Sequence, residues 1–229
     1  MKNKNSGYLL FDKPCGWTSF DCVSYLKKKY HFSKMGHAGS LDPIASGLII
    51  VMSDEATRWF DAFQKHPKIY DATLLLGVAF DTEDITGQIT NFCSLPHIPA
   101  QADVECTLQS FVGSIIQRPP VYSAIKIQGR PAYEYARTGK NVEIPSRETF
   151  VEKIELIRYQ FPHISFRVSC KKGFYVRTLC EDIARKLSTR GVLTSLRRIS
   201  QAGHHVSEAF TLKTRPVIPD SVLKRTIPL

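Results

Sequence analysis

The chain has 229 residues, 43% of them apolar and 10% aromatic, enough to close a core without disulfide or metal staples. Lys and Arg number 31 against 21 Asp and Glu, and the net charge of +10 draws polyanions while leaving the fold open. No run reaches the roughly 18 apolar residues of a membrane span, and the opening MKNKNSGYLLFDKP lacks the apolar stretch of a secretory leader, so a cytoplasmic protein with no membrane partner is expected.

In chain order, GYLLFDKP (7–14) is short, apolar and stopped by Pro14, which predicts a strand. Thr18 and Asp21 have capping-box spacing, and Phe20, Val23, Leu26 and Tyr30 recur near helical spacing, so a helix of about four turns should end in Lys27, Lys28 and Lys29. Glycines and Pro43 break residues 31–47 before LIIVM, a buried strand. KIYDATLLLGVAFD (68–81) reads as one strand, and DTEDITGQI (81–89) as an acidic loop turning at Gly87. A helix is expected over 101–112, ended by Gly113. Residues 118–148, with Pro119, Pro120, Pro131 and Pro145, read as a long polar, aromatic and basic excursion enclosing a short helix, AYEYARTG. Strands FVEKIELIRYQF and ISFRVSC follow, joined near Pro162. Then come a helix over 175–191 closed by Gly191, a strand over 194–200 and, from Arg215, a proline-bearing tail. The irregular alternation predicts an α+β fold, a mixed and mostly antiparallel central sheet flanked by helices and loops.

The six cysteines (15, 22, 93, 106, 170 and 180) are dispersed, without CxxC or zinc-ligand spacing, and read as reduced thiols. His204 and His205, adjacent in sequence, point to different faces, so no metal site is expected. GHAGSLDPIASG (36–47) frames one carboxylate, Asp42, between small residues and a proline, a rigid loop suited to a bulky substrate. An ordinary Asp-Pro turn fits the same residues, and neither a phosphate loop nor a dinucleotide fingerprint is present. KKGFYVRT (171–178) combines cations with the aromatic pair Phe174–Tyr175, as nucleic-acid surfaces do, although a strand end with solvated lysines would look alike. From Arg167 to Arg198 nine Lys or Arg face two acids, a net +7 that points to a polyanion-facing surface.

These segments together resemble the bacterial tRNA pseudouridine-55 synthases, the TruB family. GHAGSLDPIASGLIIV resembles the catalytic signature G-H-T-G-x-L-D-P-x-A-x-G, with Ala38 where the family usually has Thr. LLFDKPCGWTS (9–19) resembles its N-terminal motif, KIYDATLLLG (68–77) its tyrosine motif and KKGFYVRTLCEDIA (171–184) its arginine motif. RPPVYSAIKIQGRPAYEYARTG (118–139) resembles the inserted thumb that grips the T loop, and LRRIS (196–200) completes the match, in family order over about 7–200.

The resemblance implies a pseudouridine synthase fold over residues 1–214, with the thumb-like insertion at 118–148, a tail at 215–229 and none of the family's C-terminal RNA-binding PUA domain. It implies Asp42 as the catalytic carboxylate and Tyr70 as the ring that stacks on a flipped uracil. It implies Arg177 as the partner of the aspartate, and His37, Tyr175 and Leu196 as the uridine pocket, with Lys13 near the site. The substrate implied is the T-stem loop of tRNA, turned over by a monomer with no cofactor and no obligate protein partner. Two other readings stand beside it: a non-catalytic RNA-binding module on this scaffold, and the archaeal and eukaryotic relative of guide-RNA particles. An NAD-dependent dehydrogenase is disfavoured by the missing G-x-G-x-x-G.

Overall fold

Strand β1 (Gly7–Lys13) is followed by helix α1 (Ser19–Tyr30), β2 (Met35–His37) and β3 (Ala45–Ser53) in a computed structural model that describes residues 6–95, 97–138 and 142–212. A 3-10 turn (Asp54–Trp59) leads into α2 (Phe60–Lys65), β4 (Lys68–Leu76), β5 (Val78–Phe80) and β6 (Ile89–Phe92). Then come α3 (Gln101–Gln109), β7 (Gly113–Gln117), β8 (Lys126–Ile127), β9 (Arg130–Pro131) and α4 (Ala132–Arg137). The long strands β10 (Arg147–Gln160) and β11 (His163–Cys170), α5 (Val176–Lys186), β12 (Gly191–Gln201) and β13 (His204–His205) complete the order. The tail expected over 215–229 lies outside the described residues.

The chain forms two compact units, one of residues up to Asp71 with those from Leu196 on, the other Ala72–Ser195. In the first, β1 runs antiparallel to β3, from Gly7↔Ser53 to Lys13↔Gly47. The other side of β3 takes β12 in parallel (Leu196↔Ala45 to Arg198↔Gly47) and β2 antiparallel (Met35↔Ser53 to His37↔Val51). Both faces of β3 are covered. Leu48, Ile50 and Met52 pack with Tyr8, Leu10 and Phe63 of α2, and Ile49 and Val51 with Phe11 and with Cys22, Val23 and Leu26 of α1. Two-sided burial is why LIIVM reads as an unbroken apolar run. Helix α1 starts as expected: Thr18 Oγ1 accepts from Asp21 N (3.0 Å) and the Asp21 carboxylate accepts from Thr18 N (2.8 Å). The outer edge of β1 is met by Phe210, whose N–H donates to Leu10 O (3.1 Å) and whose carbonyl accepts from Asp12 N (2.9 Å).

In the second unit the strand order is β4-β11-β10-β7, with β10 antiparallel to both β11 and β7. The expected strand over 68–81 divides at Gly77, whose φ of +94° only glycine adopts readily, and β5 pairs with β6 as a separate ribbon. Strand β7 and the 3-10/α2 segment were not expected. Both are short, and helical or alternating periodicity needs more residues to show. The excursion is shorter than expected, because its last residues already belong to β10, which begins at Arg147.

Gly191 does not close a helix. Helix α5 stops at Lys186 and Gly191 opens β12, in a space too tight for any side chain. A Cβ there would stand 2.6 Å from Leu74 Cδ1 and 2.7 Å from Ala184 Cβ. Gly191→Ala is therefore expected to destabilise by roughly 1–3 kcal/mol, read as a melting temperature several degrees lower. An unchanged melting temperature would show that the α5–β4 packing relaxes freely.

Candidate active site

The loop between β2 and β3 is fixed through its carbonyls. In the first unit, seven consecutive carbonyl oxygens, Ala38 to Ile44, each accept a hydrogen bond from elsewhere in that unit. Gln201 Nε2 donates to Ala38 O (2.6 Å), Arg198 Nη2 to Gly39 O (3.2 Å) and Arg198 Nη1 to Ser40 O (3.5 Å). Ser19 Oγ donates to Leu41 O (3.2 Å) and accepts from Leu41 N (2.8 Å). Ala45 N closes the turn onto Asp42 O (3.0 Å), Gly16 N reaches Pro43 O (2.8 Å) and Cys15 Sγ reaches Ile44 O (3.2 Å). With the main chain tied at every residue, the half-buried Asp42 is carried on a loop that has little freedom to move.

Two buried cations stand behind this loop. Lys13 and Arg198 are both 0% exposed and pair in register with Gly47 from opposite sides, so one row runs Lys13–Gly47–Arg198 across three strands. The Arg198 main chain approaches so closely that a Cβ on Gly47 would lie 2.3 Å from Arg198 O, and Gly47 has a φ of +103°. Arg198 Nε also donates to Leu48 O (2.6 Å). Lys13 Nζ donates to the carbonyls of Pro14 (3.0 Å), Trp17 and Pro43 (3.5 Å). Burial pulls the Lys13 ammonium below the usual lysine range, against the nearby Cys22, Cys15 and Asp42.

The other expected residues of this unit fall as follows. Leu196, 6% exposed, pairs with Ala45, three residues past Asp42. His37 ends β2 at the entry to the loop, half-buried, its pKa lowered by burial and then by the charge of Arg198. Tyr70 is buried in β4, where inward positions alternate Lys68, Tyr70, Ala72. Ala38, where the family usually has Thr, is fully enclosed in the apolar cluster of Tyr8, Leu10, Leu48, Ile50 and Phe63, and a methyl group suits those surroundings.

Tyr175 and Arg177 belong to the second unit. Tyr175 is the N-cap residue of α5 and Arg177 lies in its first turn, 4% exposed. The Arg177 guanidinium donates to Thr82 O (2.9 Å) and Tyr122 O (2.9 Å), and its Nε is 4.0 Å from Asp84 Oδ2. It thereby ties the acidic loop to the start of the excursion. Asp84 in turn accepts from Thr82 Oγ1 (3.1 Å) and Thr86 N (2.9 Å). Burial raises the pKa of the adjacent Glu83, which Thr178 Oγ1 meets at 3.0 Å.

The expected polyanion surface over 167–198 is smaller than its charge count. Arg177 and Arg198 are buried on carbonyls, and Arg197 is held bidentate by Asp12 (3.0 and 2.7 Å). Arg185 and Arg190 share Glu181, and the Lys186 ammonium sits on Ser110 Oγ (2.7 Å) and over the Phe111 ring. Lys171, Lys172 and Arg167 are exposed, and Arg185 and Lys186 are exposed as well despite their partners. Among the described residues no His, Cys, Asp and Glu gather as a metal site, and no helix is long and apolar enough to cross a membrane.

The fold is that of pseudouridine synthases: a crystal structure of a pseudouridylate synthase matches 97% of this chain with a TM-score of 0.51 at 13% identity. A Cbf5-Nop10-Gar1 complex gives a TM-score of 0.70 at 28% identity over 90% of this chain, which spans about half (52%) of that solved chain. The family model described as TruB family pseudouridylate synthase (N terminal domain) matches residues 27–176. The tRNA pseudouridine synthase B of Caldicellulosiruptor saccharolyticus is 41% identical, over 90% of this chain and 71% of that protein. That of Syntrophotalea carbinolica is 42% identical, over 91% and 68%. The chain belongs to the TruB family of pseudouridylate synthases.

Arg198→Met keeps most of the volume and leaves the carbonyls of Gly39, Ser40 and Leu48 without their donor. The expected cost is on the order of 3 kcal/mol, a melting temperature lower by roughly 6–12 °C. A variant as stable as the parent would show that water replaces the guanidinium without loss. The second expectation follows from His37. Its folded pKa lies below the unfolded value, so its protonation opposes folding. Its contribution is present above the unfolded pKa of about 6.5 and is lost progressively as pH falls from there through the lowered folded value. His37→Gln should flatten the decline in denaturant midpoint between about pH 7 and pH 5; an identical decline would assign it to other groups.

Proposed function

We propose that this chain converts a uridine in the T loop of tRNA, position 55, to pseudouridine, with Asp42 as the catalytic carboxylate. The observation that supports this most is the unbroken set of acceptors from Ala38 to Ile44, which fixes the main chain around one carboxylate and leaves its side chain half-buried. A carboxylate that must meet one atom of a bulky substrate gains from such pre-organisation. The family's members known as tRNA pseudouridine synthase B support the substrate class.

The target base leaves its stack before its glycosidic bond can be reached, and an unpaired loop opens at less cost than a duplex. Asp42 then acts on the sugar, either adding to C1′ or taking the 2′ proton. Uracil detaches at N1, turns, and rejoins C1′ through C5 as the Asp42–C1′ bond breaks or, on the other route, as the 2′ carbon takes its proton back; C5 then loses its proton and N1 gains one. Substrate and product are isomers, so no oxidant or group donor enters the balance. Tyr70 supplies the stacking ring, and His37, Leu196, Tyr175 and Arg177 are read as uridine-side residues. Lys13, enclosed by three carbonyls, is read as support for the loop rather than as a direct substrate contact. A monomer acting on tRNA alone in the cytoplasm completes the reading.

The test is to incubate the protein with unmodified tRNA and map pseudouridine by position. Asp42→Asn is nearly isosteric and cannot serve as a nucleophile or comparable base. Formation at the T-loop site should fall on the order of 10³-fold or more, with tRNA binding kept within about tenfold. Turnover by Asp42→Asn at close to the parental rate would overturn the assignment.

A further inference from the structure

We infer that Gln117 and Arg147, which face each other across β7 and β10, are positioning residues that set the Tyr175 ring for the reaction. The inference rests on the reading of Tyr175 as a uridine-side residue. Gln117 ends β7, 1% exposed, and its amide meets both main-chain groups of Tyr175. Its Nε2 donates to Tyr175 O (3.1 Å) and its Oε1 accepts from Tyr175 N (3.0 Å). Only a side-chain amide offers a donor and an acceptor in one plane at that reach. It pairs with Tyr175 much as a neighbouring strand would, at the residue where the chain turns from β11 into α5.

Arg147 is the register partner of Gln117. Its guanidinium carbon lies 4.9 Å from the Tyr175 ring centroid, and Nη2 donates to Gly173 O. Gly173, with a φ of +84°, makes room for it: a Cβ there would lie 3.3 Å from Arg147 Cζ. One side chain thus holds the main chain of Tyr175 while the other lies over its ring, and both come from a single rung of the sheet. Tyr175 stays half-buried, so part of the ring faces outward while the guanidinium holds its place.

The experiment measures single-turnover pseudouridine formation, tRNA affinity and melting temperature for Arg147→Ala, Arg147→Lys and Gln117→Glu, and for Arg147→Ala combined with Tyr175→Ala. Arg147→Ala should slow the chemical step about ten- to a hundredfold while affinity stays within about threefold. Arg147→Lys should stay slow, because an ammonium keeps the charge and loses the planar face. Gln117→Glu should slow the step as well, since a carboxylate cannot donate to Tyr175 O. In the Tyr175→Ala background, Arg147→Ala should change the rate by less than about twofold. Independent multiplication of the two effects, or a loss confined to affinity, would overturn the inference in favour of direct RNA contact. If Arg147→Ala does not fold, Arg147→Lys and Gln117→Glu decide by the same rate criterion. A parent that makes no pseudouridine on unmodified tRNA overturns the proposed function and the inference with it. An active parent with unaffected variants overturns the inference alone.

Discussion

Everything placed around Asp42 depends on a loop whose carbonyl oxygens, from Ala38 to Ile44, all find donors within the first unit. A segment of seven residues with no regular hydrogen-bonding pattern would ordinarily leave acceptors to the solvent. Here the donors come from four separate stretches of chain: the Lys13–Gly16 segment, the first residue of α1, the start of β3 and the end of β12. The two chemically strongest supports are cations, because a guanidinium supplies several donors in a fixed fork and an ammonium supplies three. Such ions are tolerable in an apolar interior only when carbonyl dipoles surround them, and both Lys13 and Arg198 meet that condition. Support and supported are mutually dependent: the loop needs the donors, and the buried charges need the loop.

Much of this was legible in the sequence and some was not, for physical reasons. The capping box at Thr18 and the apolar run of β3 are local signals, and both elements form where those signals lie. Asp42 stood out because glycine and proline mark unusual backbone, and Gly39 and Gly47 do take positive φ. Arg198 and Gln201 gave no such sign. Their partners lie about 150 residues earlier in the chain, and only the parallel register of β12 on β3 brings them together. Gly191 misled because a glycine after a helical pattern usually marks its end, whereas here it marks crowding against Ala184 and Leu74.

The charge count overstates how many of the cations are free at the surface. Summing Lys and Arg over 167–198 treats each as a free surface charge. Arg197 spends its charge on Asp12, 185 positions away, and Arg177 and Arg198 lie inside their respective units on main-chain carbonyls. A polyanion meets the cations that are left, so a basic segment shows affinity for nucleic acid only to the extent that the fold leaves its charges unspent.

The division of the chain has a consequence in time. The second unit is one unbroken stretch, Ala72–Ser195, whereas the first draws on residues from both sides of it. During synthesis, at roughly 5–20 residues per second, the ribosome releases the Asp42 loop long before Arg198 and Gln201 exist to hold it. Strand β1 likewise waits for Phe210 to cover its outer edge, and an uncovered edge is a template for other chains. The unit that holds the Asp42 loop is thus the last to be locked. A nascent chain stalled between Ser195 and Phe210 would hold a finished second unit while the Asp42 loop still searched for its donors.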